Sequence, residues 1–352
     1  MLDTAIKLTA CARIPHPAAK IFHGRHQMSA LFKRIALSVA MLFMPFAATP
    51  GHAATYPDRA VKIIVPFAPG GATDYIARVI AEKLGARLGQ PFVVENRAGA
   101  GGVVGTEAAL RSPADGYTLL IASRSYTANP AIIKVKFDPV RDVVPIVNMV
   151  IAPSVFLVSK DTPANSLGEL VAYAKGNPGK LFYASQGTGS ITHISTEAFL
   201  ASTGIKMEHV PYKGVGPALT ALAAGEAQVL VTDPGASQPL VTAGKVKLLA
   251  VSGDQRLAQY PEVPTAVEQG FPQFGSYGSW QGLFAPAGTP AEAVDILNKT
   301  VNEILQTPEM SELLADRFAM PIGGSSADFA ASVKADIRYY GDIARKLGIE
   351  AQ

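Results

Sequence analysis

A two-lobed α/β fold is what this sequence predicts, and three observations carry the prediction. Short β-rich runs alternate with helical periodicity, as where "VKIIVPF" is followed by Ile76, Val79, Ile80, Leu84 and Leu88 at three- and four-residue spacings. A long apolar run, "VVPIVNMVIAPSVFLVSK", splits that alternation into two series, and "GSWQGLFAPAGTP" offers a return crossing. Helical patterns without strands of their own then fill the C-terminus, so they are expected to pack back on the first lobe and make it discontinuous. The expected division is residues 54–152 with 283–352 as the first lobe and 153–282 as the second. Each lobe is expected to be a doubly wound sheet, the two joined by two crossing strands. One continuous doubly wound sheet is the alternative.

Residues 1–53 stand apart as a leader. Lys33 and Arg34 precede an apolar stretch that ends in Gly51-His52-Ala53, a small-x-small cleavage pattern. Residues from about 28 to 53 therefore read as a secretory signal peptide cut after Ala53, with Met28 as the start. A membrane anchor is the competing reading, but spanning needs roughly 20 apolar residues, and this stretch is shorter and broken by Pro45 and Pro50. The leader holds six basic residues against the single Asp3, so the chain's 31 basic and 28 acidic residues become 25 and 27, a net of −2. Nothing in that balance points to nucleic acid or to a polybasic membrane surface. Cys11, the only cysteine, falls in the leader, as do four of the six histidines. The mature chain can then have no disulfide or Cys-based zinc site, and His193 and His209 show no metal-ligand spacing.

In chain order, "VKIIVPF" and its helix are followed by the strand "PFVVEN", a glycine-rich turn, a helix over residues 103–111 and the strand "YTLLIAS". That βαβαβ series implies a parallel sheet. The second series runs through a helix at residues 167–175, "KLFYASQ", a helix after Gly189, "KMEHVPY", a helix ending at Gly225, "AQVLVTD", another helix and "VKLLAVSG". Thr289-Pro290-Ala291-Glu292 supplies a cap, a first-turn proline and a capping-box acid. The last helix carries Phe329, Val333, Ile337 and Tyr340 on one stripe.

Ligands of open α/β sheets sit beyond the carboxyl ends of strands, where loops lead into helices. Two loops suit that place. In the first, residues 67–74, glycines permit backbone conformations that a side chain would block, with positive φ expected at Gly71, and the helix N-terminus directs free N–H groups at the loop. A carboxylate fits there. The second, residues 185–190, repeats strand, glycine turn and helix, with hydroxyls at Thr188 and Ser190. Each loop also has a structural reading: glycine turns before helices are common, Thr73 and Ser190 serve as N-caps, and Asp74 suits the helix dipole. Taken together, one loop in each lobe, they read as two jaws around a small anion. Asp233 in "VLVTDPGASQPL" either caps the Pro234 turn or reads a ligand amine or hydroxyl.

Signatures of enzymes are poor. "GAGGVVG" lacks the G-x-G-x-x-G spacing of a dinucleotide site, and neither a phosphate-loop lysine motif nor a G-x-S-x-G elbow occurs. Ser190 and His193 share a helix face, yet no acid is specified to orient the histidine as a base. A hydrolase and a ligand-binding sensor remain as alternatives to a receptor.

Six stretches carry a resemblance to a known family: residues 56–110, "PADGYTLLIAS", "YASQGTGSITHIS", "VPYKGVGPALTALAAGEAQ", "LLAVSGDQR" and the segment from "PEVPTAVEQGFPQF" to "SWQGLFAPAGTP". In order, they resemble the signatures of the Bug family, the extracytoplasmic solute receptors of tripartite tricarboxylate transporters. The resemblance implies the periplasmic-binding-protein, or Venus-flytrap, fold, closing over a small organic carboxylate or related solute. It implies first-lobe contacts at Phe67, Ala68, Gly71, Thr73 and Asp74, with Ser123 and Ser125. Second-lobe contacts would be Gly187, Thr188, Gly189, Ser190 and His193, with Asp233 facing the cleft. Where relatives often carry Phe-Asp-Asn, this chain has Thr232-Asp233-Pro234, on the side of the pocket where ligand identity is set. The expected partners are the solute and membrane permease subunits, with no cofactor, no metal and no nucleic acid. The expected state is a periplasmic monomer.

Overall fold

A computed structural model describes residues 56–275, 278–346 and 348. The expected signal peptide and its cleavage site lie outside the described residues. Apolar β-branched side chains make β1 (Val61–Val65) an interior strand buried on both faces. It pairs in parallel with β2 (Phe92–Asn96) and β3 (Thr118–Ser123), Val61 opposite Phe92 and Lys62 opposite Thr118. The crossovers are α1 (Ala72–Leu88) and α2 (Val103–Leu110), the βαβαβ unit read from the sequence. The glycines of "GAGGVVG" serve packing: a Cβ at Gly105 would stand 2.6 Å from Pro66 Cα and from the Arg97 carbonyl oxygen, so only glycine lets α2 lie this close to β1.

β4 (Val143–Pro153) and β10 (Gly278–Pro286) pair antiparallel with each other, and β10 lies antiparallel to β3. With the two-residue β11 (Met320–Pro321) at the edge, the first sheet has the order β11-β4-β10-β3-β1-β2. The second sheet contains β5 (Val155–Ser159), β6 (Phe182–Ser185), β7 (Glu208–Pro211), β8 (Val229–Thr232) and β9 (Val246–Val251), in the order β7-β6-β8-β5-β9. There β5 runs antiparallel to β8 and β9. Both sheets are therefore mixed, where the βα repeat alone implies parallel ones. The reason is the crossing itself. β4 runs into the junction and β10 runs out of it, while β5 runs out and β9 runs in, so neighbours in each pair must oppose.

Only Ser154 separates β4 from β5, and the return crossing lies between Val251 and Gly278. Ser252 clasps the two: its backbone N–H donates to the Ser154 carbonyl at 2.8 Å, and its Oγ accepts from the Ser154 N–H at 2.8 Å. β10 lies wholly in the first sheet, so a division between residues 282 and 283 falls inside a strand.

The second lobe's helices are α4 (Leu167–Gly176), α5 (Ile191–Thr203), α6 (Val215–Ala224) and α7 (Pro234–Thr242), and the short α3 (Ser125–Ala128) follows β3 in the first. The C-terminal helices α8 (Ala291–Leu305), α9 (Pro308–Ala315) and α10 (Ser326–Lys346) join the first lobe. Val294, Leu297, Val301 and Ile304 pack with Val61 and Ile63, while Phe329 and Val333 meet Trp280 and Phe284. The expected capping box of α8 does not form. Thr289 spends its hydroxyl on the Pro286 carbonyl at 2.8 Å, and the helix starts one residue later with Pro290 as N-cap, leaving Glu292 one position short of the box. Among the described residues no helix is long and apolar enough to cross a membrane.

Candidate functional site

Loops after β1, β6 and β8 converge on one cleft between the lobes, as the direction of their strands dictates. In the first loop Gly71 is the N-cap of α1 with φ −95°, an ordinary extended conformation, and the positive φ falls instead on Gly70 at 97°. The tight bend comes one residue earlier than expected, which leaves Gly71 free to aim the helix N-terminus at the cleft. The first N–H groups of such a helix have no acceptor within it. Asp74 pins this loop from below: its carboxylate accepts from Asn96 Nδ2 at 2.9 Å, Arg78 Nε at 3.1 Å and the Gly70 N–H at 3.3 Å. Burial alone would raise that carboxyl, but the hydrogen bonds from Arg78, Asn96 and Gly70 hold it below the usual range.

The second jaw is arranged differently from its sequence reading. Ser190 is the N-cap of α5; its Oγ accepts from the His193 N–H and donates to the Gly187 carbonyl. His193 points its Nδ1 at the Gly189 N–H, 3.2 Å away, and its Nε2 toward Glu197. The serine hydroxyl is thus committed to backbone and the ring to another partner, so the pair forms no nucleophile and base. The His193 ring stacks at 4.1 Å on His209, whose Nε2 meets Ser185 Oγ at 2.6 Å. Burial pushes His193 down to about 4, and burial with the neighbouring His193 does the same to His209.

A cavity of about 30 Å³ lies between the jaws. Of the residues expected there, Phe67, Ala68, Gly71, Thr73, Asp74, Ser123 and Asp233 line it, whereas Ser125, Gly187, Thr188, Gly189, Ser190 and His193 do not. Those six lie on or behind the seam where the lobes touch. Ser125 Oγ accepts from Gln186 Nε2 at 2.8 Å and from the Ile191 N–H at 2.9 Å, and Asn129 Nδ2 donates to both the Gly101 and Gly189 carbonyls. A Cβ at Gly101 would stand 2.2 Å from the Thr188 carbonyl oxygen, so the closed lobes meet backbone to backbone. On the cavity's other flank the Ala68 N–H reaches the Lys213 carbonyl at 2.9 Å.

Gln186, Thr192, Ser195 and Gln281 line the cavity without having been singled out in the sequence. Thr192 and Ser195 lie three apart on α5, and Gln281 is the lone amide in the apolar run "SWQGLFAP", signals that helix and strand periodicity could have raised. Asp233 takes the capping role weighed for it, Oδ1 accepting from the Ala236 N–H at 2.8 Å, and the residue also lines the cavity. Its burial raises the carboxyl against those hydrogen bonds. Among the described residues no group of three or more His, Cys, Asp or Glu could hold a metal ion.

A family profile described as the tripartite tricarboxylate transporter family receptor matches residues 76–349. The chain is 36% identical to protein BugT of Bordetella pertussis over 317 residues, covering 89% of this chain and 97% of that protein. Its fold superposes on Rpa4515 of R. palustris, solved with adipate, at a TM-score of 0.81 with 36% identity, covering 84% of this chain and all of that one. MatC (Rpa3494) from Rhodopseudomonas palustris, solved with bound malate, gives a TM-score of 0.79 and 32% identity, over 82% of this chain and 100% of that one.

Proposed function

Since the chain belongs to the tripartite tricarboxylate transporter receptor family, a periplasmic binding-protein family and not an enzyme family, we propose that it captures a small organic carboxylate between its lobes. It presents that solute, as a monomer, to the permease of such a transporter. The observation that carries this reading is the cavity between the N-terminus of α1 and the start of α5, lined by Thr73, Thr192 and Ser195. Adipate and malate, the ligands of the two solved relatives, are both carboxylates. Partial helix charge without a lysine also suits a receptor, which must release what it holds.

On this reading the lobes move as bodies about the Ser154–Ser252 clasp, and ligand favours closure through its greater affinity for the closed state. Export follows cleavage after Ala53, so N-terminal sequencing of periplasmic protein should begin at Ala54. A thermal-shift screen of mono-, di- and tricarboxylates, aromatic acids and amino acids tests the ligand class. A solute that binds only the folded state at about 100 times its Kd adds about 2.7 kcal/mol of stability. Stabilisation by another solute class, with every carboxylate silent, would overturn the assignment.

A further inference from the structure

A second cavity, about 190 Å³, adjoins the first and shares Gly71, Ala72, Asp74, Asp233 and Gln281 with it. Resting on the carboxylate reading above, we infer that this cavity is a distal anion subsite in which Arg317 takes the far carboxylate of an α,ω-dicarboxylate with an apolar spacer.

The walls between the two ends are apolar: Tyr75, Ile76, Ala152, Ala236 and Ala319. An apolar cavity of about 150 Å³ holds a benzene ring, so this one accommodates a spacer of similar carbon count. The 30 Å³ space between the jaws, in contrast, has room for a head group and little else. A ligand held by one carboxylate at the jaws has the adjoining larger cavity as the space for its remainder.

Arg317 is built to meet an anion there. Its guanidinium carbon lies over the Tyr75 ring, 4.3 Å from the centroid, and among the described residues only Nη1 is given to a protein acceptor, the Gly235 carbonyl at 3.2 Å. The guanidinium fork offers five N–H donors and matches a carboxylate in two-point geometry. Among the described residues no carboxylate pairs with it as an ion pair. Arg78, the other cation of the cavity, is committed to Asp74 and Asn96. Of the two acids, Asp74 is held by Arg78, and Asp233 spends Oδ1 on the Ala236 N–H, its carboxyl raised by burial while the charge of nearby Arg317 pulls the other way.

The test compares adipate with hexanoate, equal in carbon number and different in the second carboxylate, by calorimetry on the purified protein and on Arg317→Gln and Arg317→Lys. Native protein should bind adipate at least tenfold tighter, the value of a charge-assisted contact. In Arg317→Gln the ratio should fall to near one, and in Arg317→Lys to an intermediate value. Arg317 also bridges the lobes through Gly235, but weaker closure penalises both acids alike and cancels in the ratio. An unchanged ratio in Arg317→Gln overturns the subsite, and if that variant does not fold, an unchanged ratio in Arg317→Lys does the same. Equal affinities in the native protein overturn the subsite and leave the carboxylate reading standing. Failure of every carboxylate to bind overturns both.

Discussion

Acid should loosen this protein through His193 before it titrates most carboxylates. The ring is 8% exposed, accepts the Gly189 N–H on Nδ1 and lies 4.1 Å from His209, so a proton on Nδ1 removes a hydrogen bond and places charge in a buried stack. Burial holds its pKa down to about 4. An unfolded chain protonates histidine near 6.5. The folded state thus binds fewer protons between these values: the stability is full above pH 6.5 and is lost as pH falls toward 4. At pH 5 the loss from this residue comes to about 2 kcal/mol relative to pH 8. That figure is an upper one, because Glu197, 4.0 Å from Nε2, would pair with the charged ring. His209, held down to about 4 by burial and by the neighbouring His193, adds a loss of the same sign. Urea unfolding at half-unit steps from pH 5 to 8 measures the slope, with His193→Gln as the comparison, since glutamine keeps an acceptor near Gly189 and does not titrate. The variant should shed most of the His193 share. Parallel stability profiles for the two proteins would refute the argument.

The seam between the lobes yields further expectations. Gly101→Ala places a Cβ 2.2 Å from the Thr188 carbonyl and at φ 60°, so it should hold the lobes apart: circular dichroism stays native, the radius of gyration from small-angle scattering rises, and ligand affinity drops by more than tenfold. An unchanged radius with full affinity would mean that this contact does not form in solution. Asn129→Ala removes a donor shared by the Gly101 and Gly189 carbonyls, while the Asn129 Oδ1 itself is buried without a partner among the described residues. The net loss should therefore be near 1 kcal/mol, read as several-fold faster ligand release in stopped flow, and an unaltered rate would refute it. Asp233→Asn keeps the cap and removes a buried acid whose folded pKa is raised, a contribution present below pH 4 and lost as pH rises. The variant should melt higher than native protein at pH 7, with the gain vanishing at pH 4. A lower melting temperature at pH 7 would contradict the burial argument.

Much of this architecture is legible along the chain because it depends on local pattern. The alternation after Val61, the glycine loops at residues 70–71 and 187–189 and the stripe of Phe329, Val333 and Tyr340 each report a neighbour in sequence and all stand in the fold. The mixed sheets are less legible, since strand direction across the Ser154 crossing depends on a partner more than 100 residues away in β10. The second jaw illustrates the same limit. Nothing around Gly189 announces that Asn129, 60 residues earlier, will face it, and that pairing turns residues 187–190 from cavity wall into seam. Once the loop is turned that way, the next hydroxyls on the helix, Thr192 and Ser195, inherit the cavity.

The backbone seam also separates two properties that side-chain interfaces tie together. Gly101 against Thr188 and Gly216 against the Pro69 carbonyl, 2.7 Å from a Cβ built there, set how far the lobes can close. Gln186 and Arg317 reach across the seam to Ser125 and the Gly235 carbonyl, but among the described residues Tyr75, Thr192 and Ser195 make no hydrogen bond across it. Substitutions at Tyr75, Thr192 or Ser195 can therefore recut the space for a different cargo while the outer contour of the closed receptor, the surface a permease would meet, stays the same.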